Sequence, residues 1–144
     1  MRELYHYTHR THLKSILADG YLKTVESNVS EHREHAGPDV VWLTSDGTAS
    51  HLHGMFGKLT PELVHEDWDK LRVRFTVEVP NRYVHRWMQW THRRGMSQRW
   101  RDVLIDTGGG RAAVSTWWVA ERRIPSSEWV EIRDMHTDEV LWKR

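Results

Sequence analysis

The chain has 144 residues, 38% of them hydrophobic and 28% charged, which is enough apolar content for one packed core and too much for a disordered polymer. A net charge of +1 gives no global electrostatic case for nucleic acid, and the absence of cysteine removes disulfides, thiolate nucleophiles and cysteine-based zinc sites. No apolar run approaches the roughly 20 residues of a bilayer span, and MRELYHYTHR carries no signal core or transit pattern. The expectation is a single domain over residues 1–144, cytoplasmic and without a membrane segment.

Leu4-Tyr5-His6-Tyr7-Thr8 predicts a short, aromatic-rich strand. A helix is expected over Thr11 to Ala18, with Thr11 as N-cap, Leu13, Ile16 and Leu17 at helical spacing, and Gly20 as the stop. The polar stretch Val25 to Pro38 reads as a loop, and Val40 to Thr44 as a buried strand that ends at the turn Ser45-Asp46-Gly47. Thr48 to Gly57 is expected to form a short helix. Leu71 to Val79 is the clearest strand, since apolar residues occupy every odd position and Pro80 closes it. Arg82 to Arg94 predicts a helix, Asp102 to Asp106 a short strand, and Gly108-Gly109-Gly110 a mobile loop, because three glycines cost too much entropy inside an element. Late strands are expected at Thr116 to Glu121 and Trp129 to Ile132, separated by a turn at Ile124-Pro125-Ser126. Strands outnumber helices without alternating regularly with them, which is the pattern of an α+β fold.

The strand residues His6 and Thr8 stand two apart, so their side chains share one face of the sheet and can hydrogen-bond a polar ligand lying across it. The same residues also suit a half-buried strand satisfied by neighbouring backbone.

The run His6-x-Thr8-His9, followed by Leu13, Ile16-Leu17 and Gly20, resembles the opening of the DarT-type DNA ADP-ribosyltransferases and related small bacterial and phage proteins. Leu43-Thr44-Ser45 is similar to the second NAD-pocket strand of that superfamily. Trp117 to Pro125 resembles the region where such proteins carry a catalytic Glu ahead of an Ile/Val-Pro turn. The resemblance implies an ADP-ribosyltransferase-like split β-sheet core with a few short helices, NAD as cofactor, and transfer of ADP-ribose to a nucleic acid or protein acceptor. By position it makes His6, Thr8, His12, Thr44 and Ser45 cofactor-binding, with His12 standing where that family carries Asn. It makes Glu121 the catalytic carboxylate, with Glu128 as the alternative, and places a catalytic Arg at Arg33. In such a reaction the carboxylate would stabilise an oxocarbenium-like transition state as the nicotinamide–ribose bond breaks. The alternative of the same fold is a module that has lost catalysis and binds a nucleotide or a protein.

The pairs His32-x-x-His35 and His51-x-His53 support a rival reading as metal ligands of a nuclease, although Glu34, Asp39 and Asp46 show no recognised ligand spacing around them. Between Asn81 and Arg101 lie six arginines and no acidic residue, interleaved with Tyr83, Trp87, Trp90 and Trp100. Wound as one helix, Arg82, Arg86 and Arg93 would share a face. The functional reading is an acceptor surface on which these arginines contact phosphates of a single strand and Trp90 stacks on a base. The bland reading is an amphipathic helix that buries its aromatics.

Overall fold

Alternation of apolar and polar residues places a strand wherever it runs longest. In the computed structural model, which describes residues 1–25, 27, 37–49 and 69–144, those strands form one antiparallel sheet. In chain order the elements are β1 (Arg2–Thr8), α1 (Leu13–Asp19), β2 (Tyr21–Leu22), β3 (Val41–Thr44), β4 (Val73–Val79), β5 (Val84–Arg86), α2 (Trp87–Arg93), α3 (Gln98–Thr107), α4 (Arg111–Val114), β6 (Trp117–Ala120), β7 (Ile124–Pro125), β8 (Trp129–Asp134) and β9 (Val140–Lys143). The seven-stranded sheet has the order β5-β6-β3-β1-β4-β8-β9, and β2 and β7 pair separately as a small ribbon. The fold is mixed α+β. Among the described residues no helix is long and apolar enough to cross a membrane.

The pleat sends alternate side chains to two separate cores. On one face Leu4, Val41, Leu43, the four valine and phenylalanine residues of β4, Trp118 and Ile132 pack with Leu22 and Ile124 of the ribbon, and Leu13 and Ile16 of α1 lie against them. On the other face Tyr7, Trp117 and Val119 meet Trp87, Trp90, Leu104, Ile105 and Val114 from α2, α3 and α4.

Four sequence expectations are corrected. Arg82 to Arg94 is not one helix: Asn81–Tyr83 is a 3₁₀ turn, Val84–Arg86 is strand β5, and only Trp87–Arg93 is α-helical. Pairing of β5 with β6, from Val84↔Ala120 to Arg86↔Trp118, satisfies the outer backbone groups of β6 and outweighs helical propensity. Asp102 to Asp106 lies inside α3, whose start is set by Ser97 accepting the Trp100 N–H and whose last turn is closed by the Gly108 N–H on the Leu104 carbonyl. The triple glycine is not an open loop. Gly108 and Gly110 donate to Leu104 and Ile105, and Gly109 and Gly110 take positive φ values of 102° and 94° to join α3 to α4 in a tight turn. Thr11 also proves not to cap α1. It lies in the 3₁₀ turn Arg10–His12 with its hydroxyl on the His9 ring, whereas Gly20, at φ 77°, ends the helix as expected. The expected helix at Thr48 to Gly57 extends beyond the described residues.

A buried ionic latch closes the far side of the sheet. Asp134, with no exposed surface, is paired with Arg10 and with Arg72 Nε at 3.0 Å, and it accepts the backbone N–H groups of His136 and Thr137. Burial opposes its ionisation, but these N–H donors and the two guanidiniums outweigh that and hold its pKa below the usual aspartate range. Asp134→Asn is expected to cost about 3 kcal/mol of stability at neutral pH, because the buried negative charge that faces the Arg10 and Arg72 guanidiniums is lost. Since the folded pKa is depressed, the ionic contribution is complete above the unfolded value of about 3.9 and fades as pH falls through the lower folded value. Urea denaturation of both proteins across this range should show the gap closing only in acid. A gap independent of pH would show that charge is not what Asp134 supplies.

Candidate functional site

Strand β1 pairs with β4 through seven residues but meets β3 at one register pair, Tyr5↔Thr44. Beyond that point β1 and β3 part, and a cavity of about 590 Å³ opens between them, lined from both faces of the sheet. Tyr5 to Thr8 of β1 and Trp42 to Thr44 of β3 form its strand walls. His9, His12, Ser15, Ile16 and Asp19 line it from the start and helix of the next segment, and Leu104, Thr107, Gly108 and Trp117 close it from the α3–α4 side.

His6 sits at the point of divergence. Its Nδ1–H donates to the Trp42 carbonyl at 2.8 Å, a side chain standing in for the missing ladder bond. Burial pushes the ring's pKa below its ordinary value, and nearby His12 adds to this, while the bond to Trp42 works the other way. The ring is therefore neutral with its proton fixed on Nδ1, which leaves Nε2 as an acceptor. Thr8, almost fully buried, hydrogen-bonds His12 Nδ1 at 3.0 Å, and the His9 and His12 rings lie tilted at 38° to each other with centroids 3.6 Å apart. Burial lowers the His9 pKa, as do the neighbouring His12 and Lys70. Lys23 and Lys70 also line the cavity, and Lys23 is paired with Asp19 at 3.1 Å. Burial pushes the Tyr7 hydroxyl up to about 12, and that hydroxyl donates to the Asp46 carbonyl.

The structure brings His6, Thr8, His12 and Thr44 together in the cavity lining. Thr44 is buried, and its hydroxyl accepts the Asp46 N–H at 3.0 Å, shaping the turn after β3. Ser45 is exposed and does not line the cavity. Glu121 does not line it either, because it follows the far end of β6 from Trp117. Its carboxylate accepts Trp90 Nε1–H at 2.6 Å and pairs with Arg94. Burial opposes its charge, yet these donors hold its pKa below the ordinary glutamate range. Glu128 makes a bidentate pair with Arg122. Arg33, His32, Glu34, His35, His51 and His53 lie outside the described residues, and among the described residues no three His, Asp or Glu side chains group as a metal site.

The proposed acceptor face is also redrawn. Trp90 is 2% exposed and points its N–H at Glu121, so it offers no ring for a base to stack on. Arg82, Arg86 and Arg93 fall in a 3₁₀ turn, a strand and a helix, so they do not share one helical face. Sequence reasoning missed the aromatic walls Tyr5, Tyr7, Trp42 and Trp117, although strand alternation places the first three opposite His6 and Leu43. Trp42 and Trp117 meet edge to face, and Trp117, Trp87 and Trp100 continue that contact outward through α2 to α3. Compared with known proteins, the chain matches no family model, no curated protein and no solved structure.

Gly108 fixes the distal wall. A β-carbon there would lie 2.5 Å from Trp117 Cζ2 and 2.9 Å from the Leu104 carbonyl oxygen, so the close approach of the α3 end to the indole requires glycine. Gly108→Ala is expected to destabilise the fold by about 1–3 kcal/mol through overpacking. Thermal unfolding and the near-ultraviolet dichroism of the displaced indole check this, and an unshifted midpoint would mean that the contact yields freely.

Proposed function

We propose that the chain binds NAD in the cleft between β1 and β3 and is an ADP-ribosyltransferase-type protein that transfers ADP-ribose to a macromolecule. One observation carries the reading: the sheet splits after a single register pair, and the residues along the split are His6, Thr8, His12 and Thr44. The cavity volume is within the range of small-molecule and cofactor sites, and its walls combine aromatic rings with a few polar groups. In this reading the neutral His6 ring accepts a hydroxyl hydrogen from the ligand through Nε2, and Lys23 and Lys70 offset the charge of the pyrophosphate. Orientation of the dinucleotide by these groups lowers the entropic cost of reaching a reactive pose.

Transfer needs a carboxylate near the nicotinamide ribose. Among the described lining residues the acidic side chain is Asp19, and Glu121 is engaged elsewhere. That engagement favours a second reading, a module that holds NAD or a related nucleotide without turning it over. Calorimetry with NAD, together with labelled NAD incubated in cell extract, separates the two. Binding with transfer supports the first, binding alone the second, and no binding removes both.

His6→Ala is expected to weaken NAD binding by about two- to tenfold, the worth of one neutral hydrogen bond, with the fold retained. Equal affinity would take His6 out of the site. Glu121→Gln is expected to leave NAD affinity and any transfer within about twofold of wild type, since the carboxylate lies outside the lining. Loss of transfer with binding intact would return Glu121 to the catalytic role. EDTA should change neither readout, and a strong chelator effect would favour the metal-dependent reading.

A further inference from the structure

The two borders of the sheet are finished differently. At one border β5 is three residues long and runs straight into α2. At the other lies the longer β9, which pairs with β8 alone among the described residues. Edge strands are commonly kept short or blunted by charge and proline. β9 instead carries Val140-Leu141-Trp142 in succession, with Val140 43% exposed and Leu141 and Trp142 only partly buried against the first core. The register shift between Ile132 and Arg133 falls opposite the start of β9, so its end keeps regular pairing, Ile132↔Trp142 and Glu131↔Lys143. Residues of an antiparallel strand turn their backbone groups to one neighbour and the other by turns. The Arg144 N–H donates to the Val130 carbonyl at 3.0 Å, so Arg144 and Trp142 face β8, while Leu141 and Lys143 turn their N–H and C=O groups away from it.

We propose that this edge is a homotypic interface, at which β9 pairs antiparallel with β9 of a second copy about a two-fold axis through Trp142. In that register Leu141 of one copy and Lys143 of the other exchange their outward backbone bonds, about four in all. Trp142 meets its twin at the non-hydrogen-bonded position, where facing side chains come closest and aromatic pairs are favourable. The charges at the two ends of the strand choose the occupant. Asp138 and Glu139 precede it, and Lys143 and Arg144 end it. Within the chain Asp138 is held by Arg133 and Arg144 by Glu78, and Lys143 stands across from Glu131. Antiparallel pairing brings the exposed Glu139 of each copy toward Lys143 of the other, whereas parallel pairing sets like charges side by side. The edge is thus complementary to itself in one orientation. Because the β5 border is built differently, the pairing uses up the free edge and closes at two chains. Nothing in it depends on NAD binding.

The test is sedimentation equilibrium of the full chain over a concentration series, without NAD. Wild type is expected to show a reversible monomer–dimer equilibrium. Lys143→Pro removes an N–H that faces away from β8, and it is expected to weaken the dimer at least about 100-fold while the β8 ladder persists. Glu139→Lys and Lys143→Glu are each expected to weaken it about tenfold, and an equimolar mixture of the two to recover wild-type association within about twofold. Circular dichroism establishes that each variant is folded, and if Lys143→Pro is not, the charge variants and their mixture decide. Hydrogen exchange supplies a second readout. The Leu141 and Lys143 amides should gain protection as dimer forms, and those of Trp142 and Arg144 should be protected in monomer and dimer alike. A wild type that stays monomeric at every concentration, or assembles beyond a dimer, would overturn the proposal. So would a dimer that survives the folded variants, or a mixture that fails to recover association.

Discussion

The parting of β1 from β3 after Tyr5↔Thr44 is the constraint around which the rest of the molecule is arranged. Backbone donors and acceptors inside a protein must find partners, and two strands that separate forfeit their ladder. There a side chain takes over, His6 answering the Trp42 carbonyl, while Tyr7 and Thr44 fasten the turn after β3 through the Asp46 carbonyl and N–H. The split is thus stitched at its edges while its middle stays open. The cavity is the space between the parted strands, and His6 in its lining holds the Trp42 carbonyl of the facing strand.

The position of the walls depends on elements far from the split. The 3₁₀ turn that follows β1 carries Arg10, one of the two cations on buried Asp134, so the exit of β1 is tied to the β8 end of the sheet. From that turn the chain enters α1, whose Ser15, Ile16 and Asp19 form one side of the cavity. On the other side the close contact of Gly108 with Trp117 sets how near α3 approaches. Stability and site geometry therefore share the same contacts, and the wall cannot be shifted without disturbing one of the two cores.

The long strands were legible because alternation survives burial: β4 shows four apolar side chains on one face, and β1 places His6 and Thr8 together as the pattern requires. The stretch that became α3 was not, because Val103, Leu104 and Ile105 between two aspartates imitate a strand, and the deciding signal was a Ser97 cap five residues upstream of Asp102. Arg82 to Arg94 misled in the opposite direction. Its helical spacing is real only from Trp87 onward, and the first half yields to the demand of β6 for a partner. Within the site, proximity of residues on neighbouring strands could be read from the pattern. The fate of Glu121 could not, since it depends on Trp90 and Arg94 from a helix whose start the pattern misplaces.

The tryptophans give the cavity an optical dimension. Trp42 and Trp117 are in its lining, and each indole in the series Trp42, Trp117, Trp87 and Trp100 contacts the next, with centroids 5.2 to 6.2 Å apart. Excitation absorbed anywhere along such a relay migrates among its members before it is emitted. A molecule that quenches Trp42 or Trp117 from within the cavity therefore drains light from the whole series, and occupancy of the cleft is written into the intrinsic emission of the protein without any added label.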